Sequence, residues 1–230
     1  MLPAHPGYRL VIFDFDGTLA DTFDWFVSIL DGVADRYRFR RAQPEDRDEL
    51  RRMTAREILA RLEVRRWKVP LIARHMRALK SASLDQFSLF PGIAEMLRGL
   101  SEAGITLAIV SSDTEANIRA CLGPEIAGLI DMFDCGASLF GKRAHIARVV
   151  RRTGIAANAT LYVGDELRDG EAAHGAGVDF GAVAWGYCDV EALRRREPDH
   201  VFTQVDEIAT ACIGWPISLQ AGGAPRPVAR

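Results

Sequence analysis

The first apolar run, Leu10-Val11-Ile12-Phe13, is four consecutive hydrophobic residues that stop at an acidic, glycine-containing segment. A short continuous run, unlike an alternating one, predicts a strand buried on both faces. From Asp21 to about Ser88 the pattern changes, and apolar residues return at helical spacing, as in Phe26, Ile29, Leu30 and Val33, with charged residues between them. The stretch is therefore expected to be all-helical, with about four helices. Pro44 opens the second at Glu45, Met53-Thr54 separates it from one containing Ile58 and Leu62, and Pro70 starts the last. Met53, Trp67 and Met76 are expected to pack these helices together.

Phe90-Pro91-Gly92 breaks the helical pattern, and beyond it apolar runs alternate with helical stretches. The runs are Ile105 to Val110, Met132-Phe133, Leu161-Tyr162-Val163, Val178 to Ala184 and His200 to Phe202. The helices are Ile93 to Ala103, Glu115 to Leu122, Lys142 to Arg152, Asp169 to Gly175 and Val190 to Arg195. Such alternation predicts an α/β fold: a doubly wound, parallel-sheet (Rossmann-like) core with ligands at the carboxyl ends of its strands. The helical stretch then reads as an inserted cap. The expected organisation is residues 1–20 and 89–214 as the core, 21–88 as the all-helical cap, and 215–230 as a flexible tail marked by Pro216, Gly222, Gly223, Pro225 and Pro227.

Composition narrows the function. At 230 residues and 48% hydrophobic, the chain can bury a substantial core. A formal charge of −2 supplies no global field for a polyanion, so nucleic acid is not an expected partner. Arginine carries almost all the positive charge, and its pairs Arg51-Arg52, Arg65-Arg66 and Arg151-Arg152 read as solvated helix faces. The only three lysines are Lys68, Lys80 and Lys142, each standing where the usual cation was not used. Cys121, Cys135, Cys188 and Cys212 form no CxxC pair, which suits reduced thiols better than disulfides or zinc. Prolines interrupt the segment Met1 to Arg9 where a signal peptide needs an apolar core, and no apolar run approaches a membrane span. Cytoplasmic residence without a membrane partner is expected.

The chemistry concentrates at strand ends. Asp14 and Asp16, separated by one residue, point to the same side if the chain stays extended. Two such carboxylates repel unless a hard cation such as magnesium offsets them, and that cation could also hold a phosphate. Gly17 permits a tight turn, and Thr18 can hydrogen-bond near the carboxylates. Downstream, Leu161-Tyr162-Val163 runs into Gly164-Asp165, with Asp169 one helical turn later. Ser111 and Ser112 follow another strand, and Lys142 opens a helix after a third. Nucleophile, metal acids, hydroxyl donor and cation are all present.

The order of these motifs resembles the haloacid dehalogenase superfamily, in its phosphatase branch with a helical cap inserted after the first strand. Phosphoglycolate phosphatases are the nearest look-alikes, and the resemblance covers roughly residues 9 to 210. It implies an Mg2+-dependent phosphatase acting on a small phosphorylated metabolite, phosphoglycolate-like or a sugar phosphate. Asp14 would form an aspartyl-phosphate, and Asp16 would protonate the leaving alcohol and then activate water. Magnesium would be held by the Asp14 carboxylate, the Asp16 backbone carbonyl and Asp165, with Asp169 behind or through water. Ser111 and Lys142 would bind the transferring phosphoryl group, with Gly17, Thr18 and Ser112 near it, and Arg51, Arg52 and Thr54 would reach a substrate when the cap closes. Two neighbours depart from the family's common pattern: Glu166 stands where a small hydroxyl residue is frequent, and Arg143 where proline is common.

Each motif also has a plainer reading. Asp-x-Asp-Gly alone is a turn capped by carboxylates, Gly164-Asp165 a strand-ending turn with Asp169 as a helix-start acid, and Ser111-Ser112-Asp113 an N-cap for the following helix. The five histidines show no metal-ligand spacing. A phosphomutase shares the motifs and differs in where the phosphoryl group goes, and a non-catalytic phosphate- or partner-binding module would keep the fold without turnover.

Overall fold

The computed structural model describes residues 7–138 and 141–213, so the expected tail from residue 215 lies outside the described residues. Six strands form one sheet: β1 (Leu10–Phe13), β2 (Thr106–Val110), β3 (Met132–Asp134), β4 (Thr160–Gly164), β5 (Asp179–Val183) and β6 (His200–Phe202). Their order is β3-β2-β1-β4-β5-β6, and every pair is parallel. β1 is central, with Phe13 level with Ile109 on one side and Val163 on the other, and all four of its residues are fully buried.

Alternation along the strands sends side chains to two separate apolar layers. Val11, Phe13, Leu107, Ile109, Leu161 and Val163 pack with α5 (Ile93–Glu102), α6 (Glu115–Ala127) and α10 (Asp206–Ile213). Leu10, Ile12, Ala108, Val110, Tyr162 and Phe180 pack on the opposite face with α7 (Lys142–Thr153), α8 (Leu167–Ala176) and α9 (Val190–Arg194). Covering both faces is what makes the continuous apolar strand runs stable. The doubly wound core expected from the sequence is thus present. Helix α6 illustrates a local break: Gly123, at φ +71°, and Pro124 interrupt it where the helical pattern stops at Leu122. The pattern gave no expectation for α10.

Between β1 and β2, the segment 21–88 carries four α-helices: α1 (Phe23–Tyr37), α2 (Arg47–Leu50), α3 (Ala55–Arg61) and α4 (Val69–Ser81). Pro44 begins a single 3-10 turn that runs into α2, and Pro70 lies in the first turn of α4. Thr54 caps α3 by accepting from the Glu57 amide, with Glu57 reaching back to the Thr54 amide. The chain leaves and re-enters the sheet region on neighbouring tracks, since the Asp21 amide donates to Ser88 and the Phe90 amide to Leu19. Trp67 departs from its expected packing role: it is 65% exposed, with the Lys68 ammonium over its ring, while Val33, Ala34, Leu62 and Val64 are the buried apolar residues of the segment.

Candidate active site

The carboxyl ends of β1, β2 and β4 converge beside the point where the chain, having built one half of the sheet, crosses to the other, which is where doubly wound folds bind ligands. Asp14 directly follows β1, and its amide still pairs with Val163 of β4. Asp165 directly follows β4, and Asp169 lies in the first turn of α8. Carboxylate oxygens of Asp14, Asp165 and Asp169 lie within 4.8 Å of one another, and all three residues are buried.

Lys142, the first residue of α7, enters this cluster and is only 2% exposed. Its Nζ donates to Asp14 Oδ2 and Asp169 Oδ1, both at 2.5 Å. Burial works against its charge, but Asp14 and Asp169 outweigh that and hold its pKa above the usual lysine value. Burial pushes Asp14 up, opposed mainly by Lys142, and Asp165 well up, helped by its acidic neighbours. Asp169 is raised to about 6, chiefly by burial. Three carboxylates facing one ammonium leave a formal surplus of two negative charges when ionised. The donor set is all oxygen and two charges short of neutral, so it fits a hard divalent cation.

Several hydrogen bonds orient the cluster. The Phe15 amide donates to Asp14 Oδ1 at 2.8 Å, and Thr18 Oγ1 and the Tyr187 amide each donate to Asp165 at 2.8 Å. Gly17 adopts φ +75°, and a Cβ there would run into Asp165 and the Tyr187 ring, so a tight turn and a close approach both require glycine. Ser111 is buried at the end of β2, its Oγ accepting from the Asp113 amide at 3.1 Å. Ser112 accepts from Arg77 through its carbonyl. The cap of α6 is Thr114, which accepts from the Asn117 amide, so the plainer reading of Ser111-Ser112-Asp113 as the N-cap does not apply.

Asp14 and Asp16 do not share one counter-charge. Asp16 is paired instead with Lys80 of α4, which also meets Asp113 Oδ2 at 2.7 Å. Burial opposes the Lys80 ammonium, and Asp16 and Asp113 together overcome it and raise its pKa. Two of the three lysines therefore stand in the site; the scarcity of lysine was the one sequence signal for Lys80. Arg51 and Arg52 are engaged by the loop after β5: Arg51 donates to the carbonyls of Tyr187 and Gly186 at 2.9 and 3.1 Å, and Arg52 meets Asp189 at 3.4 Å. Arg51 is thus no solvated helix face. Thr54 lines a cavity of about 380 Å³ together with Arg56, Lys142, Arg143 and Arg168. Glu166 forms a two-bond pair with Arg168 at 2.6 and 2.7 Å, a partnership that sequence gave no means of finding.

A parallel sheet wound on both faces, with a buried acidic cluster beside adjacent strand ends, defines the class: a doubly wound α/β protein with a candidate site at its switch point. The chain belongs to the haloacid dehalogenase-like hydrolase family, whose sequence model matches residues 11–183. It is similar to the phosphoglycolate phosphatase of Synechococcus elongatus, 31% identical over 204 residues that cover 88% of this chain and 96% of that protein. The phosphoglycolate phosphatase of Agrobacterium fabrum is 30% identical over 236 residues, covering 97% and 100%. In fold it matches a haloacid dehalogenase-like family hydrolase from Streptococcus pneumoniae, with a TM-score of 0.70 at 18% identity over 87% of this chain and 96% of that one. No helix among the described residues is long and apolar enough to cross a membrane.

The β5–α9 loop is a part of the site with no acidic motif to announce it. A Cβ on Gly186 would approach Asp165 Cγ and Oδ2 at 2.6 Å. Gly186→Ala is therefore expected to push Asp165 aside and weaken divalent-cation affinity by roughly 10- to 100-fold, as loss of a ligand's orienting shell does. Titration calorimetry with the cation would measure this, and unchanged affinity would remove Asp165 from the candidate cation site.

Proposed function

We propose that the chain is a Mg2+-dependent phosphomonoesterase acting on a small phosphorylated metabolite, with phosphoglycolate the first candidate. One observation carries the reading: the Lys142 ammonium bridges Asp14 and Asp169 in a buried cluster that Asp165 completes, beside the carboxyl ends of the adjacent strands β1 and β4. The near-full-length similarity to two phosphoglycolate phosphatases supports the choice of substrate.

In this reading an Asp14 oxygen attacks phosphorus, and a P–O bond to Asp14 forms. The bond to the leaving oxygen breaks with its electron pair, and Asp16 gives that oxygen a proton. Asp16 then takes a proton from water as the water oxygen attacks phosphorus, and Asp14 departs as a carboxylate with release of inorganic phosphate. Lys142 and the Phe15 amide hold the two Asp14 oxygens, which limits the nucleophile to one orientation. Ser111 and Lys142 bind the transferring group, with Gly17, Thr18 and Ser112 shaping the turns around it. Asp14, Asp165 and the Asp16 carbonyl would hold magnesium, with Asp169 behind them or through water, and the cation would neutralise charge on the phosphoryl oxygens.

Residues 21–88 act as a cap over a core of 1–20 and 89–214. Support comes from the antiparallel crossing at Asp21–Ser88 and Leu19–Phe90, and from the contacts of Lys80, Arg51 and Arg52 with core residues. Its closure excludes water from the phosphoryl group. The remainder of the substrate occupies the cavity beside Lys142, where Thr54, Arg56 and Arg143 face it. Cytoplasmic residence accompanies this reading, supported by the free thiols of Cys121, Cys135, Cys188 and Cys212.

The test is release of inorganic phosphate from a panel of phosphorylated metabolites with magnesium and then with chelator. Turnover is expected with magnesium, with phosphoglycolate among the substrates, and a fall of at least about 10²-fold on chelation. Magnesium-independent release would remove the metal from the reading, and no release from any compound would overturn the phosphatase assignment.

A further inference from the structure

We infer that Lys80 is a positioning residue for Asp16, which it clamps in the orientation used on the leaving group and on water when α4 is packed against the core. The inference rests on the phosphatase reading above and adds to it a residue from the inserted helices.

The Lys80 side chain is 5% exposed although it comes from a surface helix of the insertion. Its ammonium lies between two carboxylates of the core, Asp16 Oδ1 and Asp113 Oδ2. The rings of Phe15 and Phe87 close the remaining sides at 5.0 and 5.3 Å. Asp113 is a rigid anchor: it is 3% exposed, and its Oδ1 accepts from the Thr114 amide at 2.7 Å and from Asn117 Nδ2 at 2.8 Å. The end of α4 is fastened to the same place, because Ser81 Oγ donates to Asn117 Oδ1 at 2.7 Å and Arg77 to the Ser112 carbonyl at 3.2 Å. Lys80 therefore reaches Asp16 only while α4 lies on the start of α6.

The Asp16 side chain is 27% exposed, and its Oδ2 has no hydrogen-bond partner among the described residues. One oxygen is thus tied down while the side chain stays partly exposed, as a group that must pass a proton to the leaving oxygen and take one from water requires. An amine held between two carboxylates stays charged, so Lys80 is not a nucleophile. A cation with two core partners and no open side is instead suited to holding one of them still.

The decisive experiment is a double-mutant cycle on phosphate release under saturating substrate and magnesium. Lys80→Met is expected to lower kcat by roughly 10- to 100-fold with KM changed little, the scale of a misplaced reacting group. In an Asp16→Asn background the same substitution should change kcat by less than about twofold, because its effect passes through a group already gone. Losses that multiply in the two backgrounds would overturn the inference, since a structural or substrate-binding role adds independently. Asp113→Asn, which frees one anchor of Lys80, repeats the test if Lys80→Met folds poorly: its smaller kcat loss must also vanish in Asp16→Asn. Absence of wild-type turnover would overturn the phosphatase reading and this inference together. Wild-type turnover with multiplying losses would overturn this inference alone.

Discussion

Asp14→Asn is expected to lower kcat by on the order of 10⁴-fold or more while leaving the melting temperature within about 4 °C of wild type. An amide is no nucleophile toward phosphorus, so the covalent route closes. The fold has little reason to follow. Asparagine is nearly isosteric, and the change removes one of three buried carboxylates whose burial already pushes their pKa values up. Lost attraction to Lys142 and relieved crowding with Asp165 and Asp169 act in opposite directions. Active sites often hold such electrostatic tension, and neutralising it separates activity from stability. The measurement is phosphate release beside a thermal melt. Wild-type turnover in the variant would show that Asp14 does not attack phosphorus.

Lys142→Met should do the reverse and damage both. It removes the ammonium between Asp14 and Asp169 and leaves two carboxylates facing each other without a counter-charge, in a place where none of the three groups is more than 4% exposed. Breaking a buried pair from one side costs about 3–5 kcal/mol, which lowers the melting temperature of a chain this size by roughly 10 °C. Turnover should fall by about 10²- to 10³-fold, since in the proposed mechanism the fixed charge that binds the phosphoryl group is gone. Added magnesium is expected to restore part of the stability by binding the folded cluster, and none of the lost transition-state charge. A variant as stable as wild type without metal would mean that the carboxylates shed their charge and need no cation.

Much of this site is legible in the chain because its parts sit at the ends of strands. Leu10 to Phe13 and Leu161 to Val163 are recognisable as strands buried on both faces, and the residue that follows each run is placed by the sheet at its carboxyl edge. Asp14 and Asp165 come together for that reason alone, although 151 positions separate their numbers, 165 − 14. Lys142 is a harder case. A lysine opening a helix is ordinarily solvated, and only the crossover between β3 and β4, which lays α7 against β2, β3 and α8, buries it against Asp14 and Asp169.

The residues the sequence does not announce are those whose partners belong to another layer. Nothing in the helical spacing of α4 distinguishes Lys80 from a solvated face, and the Asp16 that receives it lies 64 residues away. Arg51 has the pattern of an exposed arginine pair and spends its guanidinium on the carbonyls of Gly186 and Tyr187. Trp67 has the composition of a packing residue and stays in solvent.

The sequence by itself determined the strands, the helical insertion, the acidic motifs and their order, because periodicity and turn chemistry act over a few neighbouring residues. Only the tertiary structure decided which cation serves which carboxylate: Lys142 for Asp14 and Asp169, Lys80 for Asp16 and Asp113. The physical reason is that charge pairing in a buried site depends on distances of a few ångströms across elements remote in the chain, and those distances are set by how the helices pack on the sheet.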